Sequence, residues 1–261
     1  MIDFSQRANN YVRYRVPDVR FVKYLEKELN VASSGTIVEI GAGTGAYLFE
    51  FYKLGYIVAG VEPEEKMRMH SRDELLMINS TAECIDLPNN YADGVYIINA
   101  LHHFSNLKKA LNEIKRIMRC GNLVIATFDP YIACKKLWQF DYWPFLKEYE
   151  FNSYLDIDTI IQSIEDVFRN KALVKTYEIP YDFSDKFSAA VWKRPDILLN
   201  KDAVQAMSVF NAYPKEKYYK GFFELSNDIK SGIWKDKYYY LCNIDKYDCG
   251  FRIITVKNEN A

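Results

Sequence analysis

Histidine is scarce, the cysteines form no recognisable pattern, and neither sign of charge dominates; each shortage removes a class of function. Cys84, Cys120, Cys134, Cys242 and Cys249 include no C-x-x-C pair, and His70, His102 and His103 stand at no zinc-finger spacing. Reduced thiols are expected, and no metal. Lys plus Arg is 34 against 35 for Asp plus Glu, a formal charge of −1, so nothing pulls the chain toward phosphate polymers or acidic membranes. Nucleic acid is not expected as a main partner. No stretch approaches eighteen uninterrupted apolar residues, and MIDFSQRANNYVRYR has polar groups where a secretion signal needs an apolar run. The expectation is a cytoplasmic protein with no membrane role. What is present is an ordinary globular composition, 49% hydrophobic and 26% charged over 261 residues. That length suits a nucleotide-binding domain with a smaller appendage.

Strand and helix signals alternate along the first half. Val19, Phe21, Val22, Leu25 and Leu29 recur at helical spacing between Pro17 and Asn30. TIVEIG (36–41) reads as a buried strand entering a glycine turn, 46–54 as a helix, YIVAGVE (56–62) as a strand, 64–72 as a helix and LLMIN (75–79) as a third strand. GVYIIN (94–99), a helix over 106–118 and GNLVIATF (121–128) complete five repeats, which predict a doubly wound α/β sheet with helices on both faces. Ligands in such sheets bind at the carboxyl ends of the strands. Beyond residue 130 lie 27 of the 41 aromatic residues, so the surface changes character there. A helix over 155–168 and strands at 172–179 and 251–256 are expected. The segments 131–170 and 182–248, including FSAAVWKRP and a helix-like 202–212, are expected to form a helical, aromatic-rich substrate cap, being too long for structureless loops. Residues 1–130 are expected to form the ligand-binding core, and 131–261 the remaining strands with the cap.

VEIGAGTGAY carries the most chemical information. Glycines 41, 43 and 45 remove β-carbons where a strand turns into a helix, so a ligand can approach the backbone and the helix N-terminus. Gly41, Gly43 and Ala46 also fit the G-x-G-x-x-A form of a dinucleotide-binding turn, which keeps a nicotinamide (NAD) oxidoreductase as an alternative. Glu39 argues against it, because a carboxylate at that strand tip repels a pyrophosphate and attracts an ammonium group. Glu62, at the end of the second strand, can accept two hydrogen bonds from ribose hydroxyls.

VEIGAGTG, VEPEEKM and TAECIDLPNNYADGVYIINALHHF together resemble the class I S-adenosylmethionine-dependent methyltransferases, in particular the type 11-like branch that acts mostly on small molecules. The resemblance covers roughly residues 1–130. It implies a Rossmann-like seven-stranded sheet, mostly parallel with an antiparallel last strand, and S-adenosylmethionine as cofactor with S-adenosylhomocysteine as product. It places Glu39 by the methionyl moiety and the Gly41, Ala42, Gly43 to Gly45 backbone beside the cofactor. Glu62 matches the ribose-binding acid, Pro63 and Met67 pack near adenine, Ala82 and Glu83 match the pair at the adenine edge, and Asn99, Ala100 and on to His102 line the cofactor and substrate pocket. FSQRANNYVRYR resembles the family's N-terminal lid, with Tyr11 and Arg15 as cofactor-binding candidates, Arg15 because a guanidinium pairs with a carboxylate.

Each residue also has a plainer reading. Glu83 can be an exposed loop carboxylate, and His102 either a general base, which its ordinary pKa permits, or a hydrogen-bonded structural imidazole. Trp138, Tyr142, Trp143, Phe145, Tyr181, Phe183 and Trp192 either wall an apolar pocket or make the core of the cap. Taken together they favour a small apolar or aromatic acceptor, methylated by one in-line displacement in a monomer or homodimer. A non-catalytic cofactor-binding or partner-binding module remains a further alternative, suggested by the tyrosine-rich second half.

Overall fold

The computed structural model describes residues 10–258. The chain divides into two compact units, one built of segments 17–128, 154–176 and 252–258, the other of 10–16, 129–153 and 177–251.

The nine strands of the described residues are β1 (Thr36–Ile40), β2 (Ile57–Val61), β3 (Leu76–Ile78), β4 (Gly94–Ile98), β5 (Asn122–Phe128), β6 (Leu173–Thr176), β7 (Ile179–Pro180), β8 (Lys246–Tyr247) and β9 (Phe251–Lys257). Seven of them form one sheet in the order β3-β2-β1-β4-β5-β9-β6. β1 runs parallel to β2 and to β4, and β9 runs antiparallel to β6, as expected of a closing strand. The order reverses between β1 and β4. Chain direction therefore splits there, leaving a crevice at the carboxyl ends of adjacent strands.

Local signals account for the helices of this unit. Asp18 accepts from the Arg20 amide and opens Val19–Leu29, whose apolar face (Phe21, Val22, Leu25, Leu29) is buried, and Asn30 closes it in a left-handed conformation. Asn106 accepts from the Lys109 amide to open Leu107–Ile117, which buries Ala110, Leu111, Ile114 and Ile117. The helix Ile157–Phe168, capped by Asp156, presents Ile160, Ile164, Val167 and Phe168 to the same core cluster. Full burial of each such side chain contributes roughly 1.5–3 kcal/mol. This apolar face corrects the expectation that placed residues 131–170 in the cap: 154–170 belong with the sheet.

The second unit has an aromatic interior. Trp143, Trp192 and Phe183 are fully buried, and Trp138 and Tyr142 nearly so. Their rings meet one another edge-on, Trp138 with Trp234 at 5.4 Å and Trp143 with Phe210 at 5.0 Å. Three indole N–H groups donate to backbone carbonyls, Trp138 to Trp192, Trp192 to Ile179 and Trp143 to Tyr218. These side chains make the core of the unit. Of the seven aromatics singled out from the sequence, Tyr181 alone is classed as exposed and Phe145 as half-buried, so the set supplies no argument for an aromatic acceptor.

Three element boundaries differ from the sequence reading. The strand expected over 172–179 ends at Thr176, Tyr177 makes one further hydrogen bond to Phe251, and Ile179–Pro180 pairs separately with β8. The helix expected over 64–72 is confined to Glu65–Arg68, and 202–212 breaks into Lys201–Gln205 and the 3-10 turn Ser208–Asn211. The N-terminal residues 10–16, expected with the core, cluster instead with the aromatic unit. Tyr14 packs on Ala203 and Ala206, and Asn10 donates to Asp202 and Gln205.

Candidate functional site

The carboxyl ends of β2, β1 and β4 gather most of the residues singled out from the sequence. Gly41, Gly43 and Gly45 all have φ between 57° and 73°, the left-handed region that favours glycine. The Gly41 and Ala42 amides both donate to the Val61 carbonyl, which fastens the turn to the end of β2. A β-carbon on Gly41 would lie 2.4 Å from that of Ala100, so the turn and the segment after β4 touch only because residue 41 has no side chain.

Glu62 is buried and joins the two strand ends. Its Oε2 accepts from the Gly43 amide at 2.8 Å and its Oε1 from the Glu64 amide at 2.9 Å. A carboxylate has about four acceptor positions, so each oxygen keeps capacity for a ligand hydroxyl. Arg68 donates to the Glu62 carbonyl and holds the following turn in place. Met67 is half-buried in that turn and Pro63 is exposed.

Glu39 differs from its expectation. The carboxyl is buried within β1, accepts a hydrogen bond from Tyr96 at 2.9 Å, and is pushed up to about 8. Burial is the main cause; the Tyr96 and Leu48 hydrogen bonds oppose it, and the nearby Glu62 charge adds to it. Near neutral pH the group is therefore largely a neutral acid, not the standing negative charge the sequence suggests.

The segment after β4 is unusual in its backbone and its polar atoms. Asn99 sits at φ 48°, and both its Oδ1 and the Nδ1 of His102 are buried without a hydrogen-bond partner. An unmet buried polar atom costs about 1–3 kcal/mol, so a bound donor there would be favourable. The His102 ring packs at a tilt against His103, 4.0 Å between centroids, and against Tyr154, 4.8 Å. Burial, reinforced by the neighbouring His103, drives His102 down to about 3, so its imidazole stays neutral and is a weak base. His103 is lowered by burial too, and the Glu62 charge opposes that shift.

Ala82 is buried in the core of the unit. Glu83 is occupied structurally, since its Oε1 accepts from the Ser105 amide, the Ser105 hydroxyl and the Asn106 amide and so ties its loop to the start of a helix. Burial alone would raise the Glu83 carboxyl, but these bonds hold it below its ordinary value.

Tyr11 and Arg15 belong to the aromatic unit. Arg15 donates from Nε and Nη2 to Asp185, a carboxylate with 1% exposure, and its guanidinium lies 5.1 Å from the Tyr11 ring and 5.7 Å from the Phe187 ring. Its charge is met by Asp185, so a cofactor carboxylate would have to share the guanidinium with that residue. Sequence reasoning gave no role to Glu150 in the helix Leu146–Ser153, whose carboxyl burial pushes up to about 7. Glu150 follows Lys147 and Glu148 in a stretch that reads as a solvated helix face, so no signal pointed to it. Among the described residues no group of three or more His, Cys, Asp or Glu could hold a metal, and no helix is long and apolar enough to cross a membrane.

Fold and turn together define a doubly wound protein with a nucleotide-type site at its strand reversal. Comparison with known proteins narrows this. A family model described as a methyltransferase domain matches residues 38–126. A protein of Anabaena variabilis described as a methyltransferase from an antibiotic biosynthesis pathway is 34% identical, with a TM-score of 0.89 over 93% of this chain and 98% of its own. An uncharacterized methyltransferase of Geobacillus sp. is 27% identical over 114 residues, 40% of this chain and 53% of its own, so the chain spans about half the length of the curated relatives it matches. Phosphoethanolamine N-methyltransferase 2 of Haemonchus contortus, 15% identical, shares the fold with a TM-score of 0.56 over 93% of this chain and 53% of its own. The chain belongs to the class I S-adenosylmethionine-dependent methyltransferases.

The residues present fit the family's cofactor. Glu62 retains acceptor capacity for a ribose diol, the glycine turn is open to a ligand, and Asn99 Oδ1 lacks a donor.

Proposed function

We propose that this chain methylates a small molecule, using S-adenosylmethionine held at the carboxyl ends of β1, β2 and β4. The observation that carries this reading is Glu62: one carboxylate grips the glycine turn through Gly43 and the β2 end through Glu64, with lone pairs left over for vicinal hydroxyls. The bound cofactor supplies an activated methyl group on a sulfonium. The chain supplies binding through Glu62 and the turn, and a hydrogen-bond acceptor at Asn99 Oδ1. In this reading His102 is a neutral packing and hydrogen-bonding group, because an imidazole near 3 is a poor proton acceptor at neutral pH. The description of the Anabaena relative, a methyltransferase of antibiotic biosynthesis, supports a small-molecule acceptor. The nicotinamide alternative rested on glycine spacing alone and gains no support.

Calorimetric titration with S-adenosylmethionine, S-adenosylhomocysteine and NAD tests the proposal. Selective binding of the first two is expected, and binding of NAD alone would overturn it. Glu62→Ala should weaken cofactor binding by about tenfold or more, since hydrogen bonds to a charged group are worth roughly 1.5–3 kcal/mol. An unchanged dissociation constant would remove Glu62 from the site.

A further inference from the structure

Within the aromatic unit lies a cavity of about 350 Å³ lined by Arg13, Tyr14, Lys186, Asp196 and Asn200, among others. Its shape is set by backbone contacts. The Lys186 amide donates to the Tyr14 carbonyl at 2.9 Å, Arg15 and Asp185 form an antiparallel bridge beside it, and the 3-10 turn Pro195–Leu199 closes the far wall.

Two cations share this cavity and one ring. The Arg13 guanidinium lies 5.4 Å and the Lys186 ammonium 5.2 Å from the centroid of Tyr14, so the two charges are within about 11 Å of each other. Among the described residues neither has an ion pair or a side-chain hydrogen bond. The cation–π contacts keep the pair in place without neutralising it. Asp196 is the one acid on the lining, and its charge also acts on the half-buried guanidinium of Arg194. Asn200 Oδ1 is taken by the amides of Asp202 and Ala203 and by the Tyr14 hydroxyl, which turns its NH₂ group into the remaining donor of that side chain.

We propose that this cavity binds a small organic anion whose carboxylate or phosphate is gripped by Arg13 and Lys186, with Asp196 as an opposing charge that limits the affinity. A guanidinium fork with an ammonium point charge is the pairing that recognises such oxyanions. The volume lies at the lower end for small-molecule sites and the lining is open to solvent at Arg13, Asp196 and Asn200, which fits a metabolite of a few carbons. The site is built entirely within one unit and is separate from the glycine turn in its residues.

The test is calorimetric titration of the full chain with inorganic phosphate and with citrate, each against sodium chloride of equal ionic strength. Saturable binding of at least one probe is expected; the probe that binds tells phosphate from carboxylate chemistry. Arg13→Gln combined with Lys186→Gln should weaken that binding about tenfold or more, and Asp196→Asn should tighten it several-fold by removing the opposing charge. Failure of both probes to saturate, unchanged affinity in the double variant, or weaker binding in Asp196→Asn would each overturn the proposal. None of these readouts requires turnover, so they stand or fall apart from the methyltransferase reading.

Discussion

Glu39 shows how a carboxyl can be central to a site and yet weaken the fold. Its ordinary value of 4.5 applies to the unfolded chain, whereas the folded protein raises it to about 8, chiefly by burial. The folded state thus keeps a proton that the unfolded chain releases between those two values. The group's contribution is fully present below about pH 4.5 and is lost as pH rises through 8. Glu39→Gln, which keeps the shape and removes the titration, should flatten the stability profile between pH 5 and 8 by a few kcal/mol, at 1.36 kcal/mol for each pKa unit. Denaturant midpoints at the two pH values measure this, and an unchanged slope would mean that Glu39 ionises freely in the fold. His102 makes a contrasting case. His102→Asn should leave turnover within about tenfold of the parent, because a general base contributes 10²–10⁴-fold. A loss in that larger range would restore the base role its position after β4 first suggested. The positions of Glu39 and Glu62 beside the glycine turn were legible from their spacing, but the largely neutral state of Glu39 was not. Tyr96, the partner that fixes Glu39, was not: it lies 57 residues away on a neighbouring strand, and no local pattern announces it.

At the scale of elements, the glycine turn is where strand, helix and neighbouring segment must agree. Gly41→Ala combines a left-handed backbone at φ 73° with a β-carbon 2.4 Å from Ala100, whereas Gly55→Ala, at φ 89°, meets nothing within 4 Å. The second change isolates backbone strain and should destabilise by roughly 1–2 kcal/mol. The first adds a clash at the candidate site and should lower stability further and weaken cofactor binding as well. Equal losses for the two would mean that the turn moves away from Ala100 at little cost. The strands around this turn were readable because their β-branched runs end in glycine or a carboxylate, and the three long helices of the sheet unit begin at side-chain caps, Asp18, Asn106 and Asp156. The second half was less readable for a physical reason. Its aromatics are spaced to pack against one another in three dimensions, as Trp138 does with Trp234 96 positions later, so they show neither helical nor strand period. Nor could the sequence reveal that Arg15 is committed to Asp185, 170 residues away.

For the whole molecule, the uneven distribution of tryptophan offers a way to watch the two units separately. Trp138, Trp143, Trp192 and Trp234 are the chain's complete set, and all four fall in the aromatic unit. Tryptophan fluorescence therefore reports on that unit. The large sheet, with its helices Val19–Leu29, Leu107–Ile117 and Ile157–Phe168, belongs to the other, while the aromatic unit holds helices of its own such as Glu216–Ser231, so far-ultraviolet circular dichroism reports on both units. Glu62, the glycine turn and Asn99 also lie in the sheet unit, so cofactor binding acts first on the half that holds no tryptophan. A ligand bound only to the native state stabilises by about 2.7 kcal/mol at a hundredfold excess over its dissociation constant. Saturating S-adenosylhomocysteine should therefore raise the dichroism midpoint of thermal unfolding by several degrees and move the fluorescence midpoint less, separating two transitions that overlap without ligand. Equal movement of both midpoints at every ligand concentration would show that the units unfold as one cooperative body, with energy from the glycine turn reaching the aromatic core undiminished.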